Sequence, residues 1–335
     1  MKSDMAIPVS QQSNMAASLE NQSSRFDSED RRTLSDQVRV WPGDSQTFST
    51  HKMARIKHNL HQHPLMGLSQ LQDLAVELLP LEGCRFLPPN ATSESRFDHQ
   101  SSSHQGLAIQ EVFRRIEEPG SWVALYNIEN IPRYRRLLHE AVNSVRPLVE
   151  REQPGIFAVT GFIFISAPPS VTPFHIDREN NFWLQIRGRK FITLWDRHDT
   201  QTIPTDVVES FIVDRDLERV RLNETIRARG TEFDNVSGEG MYFPSTTPHM
   251  TRTTTDWVKP GDGVSISFGV NFYTSVTRRH AKVHQVNRLL RRTGLKPVPP
   301  GRQVWRDGFK APFAKAVINF LKMRRKDYEV PPGGI

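Results

Sequence analysis

The chain has 335 residues, of which 37% are hydrophobic and 24% charged, with 44 Lys or Arg against 37 Asp or Glu and a formal net charge of +7. That length supports one substantial core with helical additions. No stretch is apolar enough to span a bilayer, and the single cysteine, Cys84, excludes an intrachain disulfide. The N-terminal MKSDMAIPVSQQ has no apolar core of a signal peptide. A soluble, cytoplasmic protein is the expectation, with no membrane contact.

In chain order, residues 1–45 are rich in Ser, Gln, Asn and Asp and poor in aromatics, a composition that predicts a disordered segment. Residues 46–119 read as a helical N-terminal region with a linker. LSQLQDLAVELL (68–79) is amphipathic, with Ser69 near its start, 88–106 is a polar, Ser-rich connection, and a helix is predicted at about 107–117. A further helix at about 131–148 carries Pro132 in its first turn. From Phe157 to Tyr273 the texture becomes short β-like segments between turn signals: FAVTGFIFIS (157–166), NFWLQI (181–186), KFITLW (190–195), GMYFP (240–244) and VSISFGVNFY (264–273). Many short strands of this kind predict a mainly β fold with flanking helices, a sandwich or closed jelly roll of the cupin type. A basic, helical C-terminal region (277–335) follows, with helices at 277–292 and 311–326.

The charge is uneven. Between Arg278 and Lys326 lie 15 Lys or Arg and one acid, Asp307, a local balance of +14 that leaves −7 for the rest. Such a tail could meet nucleic acid or an acidic partner. The reading we favour is solvated helices whose long stems cover apolar surface.

Chemistry concentrates at TPFHID (172–177), where His175 and Asp177 stand two residues apart and so share one face of a strand. Alone, such a pair also fits a surface turn. Some seventy residues later GEGMYFPSTTPHM delivers His249 at the end of another strand. Two histidines and one carboxylate form a facial metal site with open positions, the ligand set of non-haem Fe(II) oxygen chemistry rather than of structural zinc. NFWLQI and RKFITLW flank Arg187-Gly188, a compact hairpin-like connection. Alternation groups Lys190 with Ile192 and Leu194. An inward lysine there needs an anion, and an outward one sits on the sheet surface. In VSISFGVNF, Ser265, Ser267, Gly269 and Asn271 share one face, a small polar wall suited to a cavity.

Taken together, TPFHIDRENNFWLQIRGRK, PHM and SISFGVNF resemble the cupin-like JmjC oxygenases, especially the branch containing the asparaginyl hydroxylase of hypoxia-inducible factor. The resemblance covers roughly residues 120–275. It implies a double-stranded β-helix domain at 120–276 and an Fe(II)- and 2-oxoglutarate-dependent dioxygenase of hydroxylase type, using O2 and releasing succinate and CO2. It implies His175, Asp177 and His249 as iron ligands. Thr172 and Lys190 match the residues that hold the distal carboxylate of 2-oxoglutarate, Asn181 and Asn271 match pocket asparagines, and Tyr126 in WVALYNIEN (122–130) is a further cosubstrate contact. A protein or peptide substrate follows by analogy. The alternatives are a small-molecule oxygenase or a non-catalytic cupin-like binding module. Relatives dimerise through C-terminal helices, and the stripe Val283, Val286, Leu289, Leu290 could build a homodimer here. The segment MTRTTTDWVKPGDGV after His249 is either a substrate lid or an inert insertion. The His51, His58, His61, His63 group reads as a partly solvated helix face rather than a metal site.

Overall fold

A computed structural model describes residues 38–86 and 109–303, together with 305, 307–310 and 312–313. Most of the N-terminal segment expected to be disordered, the 88–106 linker and most of the predicted 311–326 helix lie outside the described residues.

Two antiparallel sheets form the core. The strands are β1 (Val40–Pro42), β2 (Ala54–His58), β3 (Cys84–Phe86), β4 (Trp122–Tyr126), β5 (Phe157–Ser166), β6 (Ser170–His175), β7 (Asn180–Arg187), β8 (Arg189–Leu194), β9 (Thr231–Val236), β10 (Glu239–Phe243), β11 (His249–Thr253) and β12 (Ser265–Tyr273). The large sheet runs β1-β2-β10-β7-β12-β5-β4-β3 and the small one β6-β11-β8-β9. From β5 to β12 the chain passes repeatedly between the sheets, so that each is built from strands distant in sequence. That interleaving defines a double-stranded β-helix, a jelly-roll topology. Trp183, Met241 and Phe243 of the large sheet meet Ile192 and Leu194 of the small one to fill the space between them.

The helices are α1 (Leu68–Leu78), α2 (Ile109–Arg114), α3 (Pro132–Glu150), α4 (Thr205–Asp214), α5 (Glu224–Arg227) and α6 (Ser275–Arg292). Helix α3 buries Tyr134, Leu137, Leu138, Ala141, Val142, Val145 and Val149, a helical-period stripe laid on the outer face of β5 and β12. With both faces covered, β7 is buried from Asn180 to Ile186. The half-covered β8 instead alternates, with Lys190, Ile192 and Leu194 inward. Helices α4 and α6 pack together outside the small sheet. Arg291 is 2.7 Å from Glu209, and Arg288 pairs with Asp214. Part of the basic C-terminal run is thus neutralised inside the chain. Val283, the first residue of the expected dimer stripe, is itself buried within the chain.

Several expectations need correction. Val40–Pro42, in the segment expected to be disordered, forms β1, and region 46–119, read as helical, also supplies β2 and β3 to the large sheet. His58 lies on β2 rather than a helix face, buried, with Nε2 at 3.1 Å from the Gln185 carbonyl. Burial pushes it down to about 4. Strands β7 and β8 do not form a hairpin. β7 pairs with β10 and β12, β8 with β9 and β11, and Gly188 is the corner where the chain changes sheets. Its φ of +68° suits glycine, and a Cβ there would sit 2.5 Å from the Trp257 ring.

A tighter constraint lies within β10. A Cβ on Gly240 would fall 2.2 Å from the Trp183 carbonyl oxygen and 3.0 Å from Leu184 Cα, both backbone atoms that cannot swing away. Gly240→Ala is therefore expected to cost about 3 kcal/mol, the upper range of overpacking. Urea denaturation would show it as a lowered midpoint with an unchanged slope.

Candidate metal centre

His175 closes β6 and His249 opens β11, and the two stand directly opposite across the antiparallel pair, their ring centroids 4.1 Å apart. His249 thus begins a strand rather than ending one. Asp177 follows in the loop after β6. Its Oδ1 lies 3.9 Å from His175 Nε2 and its Oδ2 3.5 Å from His249 Nε2. One ligand atom from each of the three residues falls within 4.8 Å of the others, a group able to hold a metal ion.

Backbone carbonyls fix the ring orientations. His175 Nδ1 is 2.7 Å from the Pro173 oxygen, and His249 Nδ1 is 3.0 Å from the Thr247 oxygen. A carbonyl only accepts, so each Nδ1 carries a hydrogen, and Nε2 is the ring nitrogen turned toward Asp177 and placed to ligate a metal. Two imidazole lone pairs and a carboxylate aimed at one point suit a divalent cation, and the carbonyl partners orient the ligands as outer groups do in metal sites.

A bulge shapes the rest. Between the pairs His175↔His249 and Thr172↔Thr251, β6 spends three residues against two on β11. Thr172 and His175 therefore both accompany inward-facing residues of β11, which simple alternation forbids. Asn181 and Asn271 are cross-strand partners on the inner face of the large sheet. Both oxygens lack a hydrogen bond, as does the Asn181 amide nitrogen. Tyr126 pairs with Phe162 at the end of β4. Burial raises its phenol, Arg85 opposes and the Asp177 charge adds to the rise.

Lys190 is 2% exposed, and its Nζ lies 3.3 Å from Ser267 Oγ on the facing sheet. Among the described residues no carboxylate pairs with it. Burial lowers it to about 7. Ser267 thereby shows that the small polar face of β12 looks into the barrel. Along β8, Lys190 lies four residues deeper than Leu194, the partner of His249.

Asn180 was not expected to matter. Fully buried, it accepts from the Ser245 N–H at 3.0 Å and donates to Gln153 Oε1 at 3.1 Å. Thr246, held at φ +65°, donates its N–H to the Asp177 carbonyl at 2.8 Å. The turn before His249 is thus tied to the loop after His175. A β-branched residue rarely adopts that backbone conformation, so surrounding bonds hold it there.

The segment after His249 is not a lid over this site. Its first part is β11. The remainder folds onto the β7–β8 corner through Arg187–Asp262 at 2.8 Å, Arg189–Asp256 at 3.0 Å and Trp257 on Gly188. Since β7 runs from Asn180 beside the cluster to Arg187 at its far end, this loop closes the end remote from His175.

A double-stranded β-helix with two histidines and a carboxylate on facing strand ends is the class that fold and site define. Solved structures similar to this chain include the ribosomal oxygenase YcfD of Escherichia coli, at 12% identity and TM-score 0.41 over 84% of this chain and 68% of that one. The same protein with cobalt and succinic acid gives 13% and 0.42 over 84% and 68%. With cobalt and 2-oxoglutarate it gives 13% and 0.39 over 84% and 63%. No protein-family model and no curated protein matches the sequence. The fold assignment rests on the strand order itself.

Proposed function

We propose that this chain is an Fe(II)- and 2-oxoglutarate-dependent oxygenase. The observation that carries the reading is the combination of the His175, Asp177, His249 cluster, its two rings oriented by backbone carbonyls, with a buried lysine that pairs with no acid among the described residues. Structural zinc would leave Lys190 unexplained, and an apolar-ligand barrel would not bury a charge.

In this reading His175, Asp177 and His249 hold the iron. Lys190 and Thr172 take the distal carboxylate of 2-oxoglutarate, and Asn181, Asn271 and Tyr126 line its pocket. Bound iron with 2-oxoglutarate supplies the activation of O2, the net reaction putting one oxygen atom into succinate and the other into substrate with loss of CO2. The chain's own share is positional. The Pro173 and Thr247 carbonyls hold the imidazoles, Asn180 ties the two ligand-bearing loops together, and the buried inner wall excludes water. The substrate we propose is a protein or peptide side chain.

Purified protein given Fe(II), O2 and 2-oxoglutarate is expected to form succinate slowly without added substrate, and faster with the right one. A panel of peptides and metabolites scored by mass spectrometry for gain of one oxygen atom identifies the substrate. Succinate no greater than from His175→Ala would refute the enzyme.

A further inference from the structure

A second polar site lies behind the metal cluster, outside the barrel. Arg178, next to Asp177, and Arg197, just past β8, project into a cleft with Ser245, Thr246, His280 and His284. Only about 20 Å³ of the cleft is enclosed enough to hold a water molecule, so a bound group would sit largely in its open mouth. Ile212 of α4 and Ala281 of α6 form its apolar side and belong to the same core cluster as Phe174 and Ile176, which point away from the barrel interior.

Four cationic or cationisable side chains meet here, and none of the residues lining the cleft is an acid. Arg178 is 8% exposed, and its buried Nε has no hydrogen-bond partner. Neither guanidinium forms an ion pair with any described residue. Of the nearby acids, Glu179 accepts from the Tyr273 hydroxyl and, raised by burial, is lowered in part by the Arg178 charge; Asp196 is exposed, accepts from the His198 N–H and acts to raise Arg197; and Glu152 accepts from Thr50. Burial and the Arg197 charge push His280 and His284 down to about 3, so both rings are neutral and can donate or accept at physiological pH. Burial also lowers Arg197, against smaller opposing effects of Tyr242 and Asp196. The α6 N-terminus is already closed by its Thr274–Thr277 capping box, so it does not explain the cluster.

We infer that this cleft is a binding site for a doubly charged oxyanion, inorganic phosphate or the phosphate group of a small metabolite. Two planar guanidinium forks match the oxygen spacing and the charge of such a group, and the Ser245 and Thr246 hydroxyls and the neutral imidazoles supply further bonds. A bound anion would also brace the segment carrying Asp177, because Thr246 holds that residue's carbonyl. The inference does not depend on the oxygenase reading.

The test uses the metal-free full chain at constant ionic strength, with inorganic phosphate or glycerol phosphate replacing chloride. Calorimetry is expected to show saturable binding of one phosphate per chain, and thermal unfolding a rise in Tm that chloride does not give. Equal affinity for glycerol phosphate assigns the cleft to a phosphate-bearing metabolite, and binding of inorganic phosphate alone assigns it to the free ion. Arg178→Met and Arg197→Met should each weaken binding at least about tenfold. In phosphate-free buffer Arg178→Met should be as stable as the parent or more so, since it removes a buried charge, and Arg197→Met, at a half-buried position, should change stability little. Arg197→Lys, which keeps the charge without the fork, should bind more weakly than the parent. No phosphate response beyond chloride, undiminished binding in the variants, or equal destabilisation with and without phosphate would overturn the proposal.

Discussion

Lys190→Met is expected to abolish detectable 2-oxoglutarate binding and at the same time to stabilise the ligand-free protein at neutral pH. Lys190 falls from its ordinary value of 10.5 to about 7 because burial in the barrel removes water from the ammonium. At roughly 1.4 kcal/mol per unit, the shift corresponds to a folding penalty on the order of 5 kcal/mol. The sign is fixed by proton counts. Between about 7 and 10.5 the unfolded chain binds the proton and the folded chain releases it, so stability rises with pH across that window. Below about 7 the whole penalty is present, and above 10.5 it is gone. Methionine fills similar volume without the charge, so the stability difference between variant and parent should be largest below pH 7 and vanish toward pH 10. Denaturant titrations at several pH values measure it. With 2-oxoglutarate bound, the parent recovers the penalty through a charge-assisted bond and the variant does not. A variant less stable than the parent at neutral pH, by an amount independent of pH, would make Lys190 a packing residue.

The second large effect concerns the metal. His175→Ala, Asp177→Ala and His249→Ala should each lower divalent-metal affinity by more than about 100-fold, beyond the range seen when only an outer partner is lost. Each removes one of three converging donors and leaves two, too few to compete with water. Lys190→Met should leave metal affinity nearly unchanged, because Lys190 bonds Ser267 rather than the cluster. Anaerobic competition against a chromophoric chelator separates the two behaviours. Equal loss of metal in all four variants would mean that the barrel, not the ligand set, had failed.

What the sequence made legible follows from contrast along single strands. In β8 and β12 each face has a distinct character: alternation grouped Lys190 with Ile192 and Leu194 while leaving its direction open, and it is found inward, facing the small polar wall with Ser267 that alternation turned toward a cavity. The helices Leu68–Leu78 and Pro132–Glu150 carried a clean helical period. Strands β9 (TEFDNV) and β11 (HMTRT) were not legible, because polar residues on an exposed sheet surface look like loop. Strand β1 (VWP) is three residues long and pairs with β2, and the charged β2 (ARIKH) is a strand through its pairing with distant β10. The β7–β8 link looked like a hairpin since local sequence cannot say that partners lie elsewhere. His175, Asp177 and His249 stood out by residue type. Thr172 as an inward residue depended on a bulge at Pro173, and Asn180 and the Arg178–Arg197 cleft depend on segments far apart in the chain, for which one-dimensional spacing carries no signal.

The most direct measurement of the central claim is isotopic. Under ¹⁸O2, with Fe(II) and 2-oxoglutarate, the protein should release succinate carrying one ¹⁸O atom, and His175→Ala should release none. Succinate formed without label, or labelled equally in the parent and the variant, would contradict an oxygenase built on His175, Asp177 and His249.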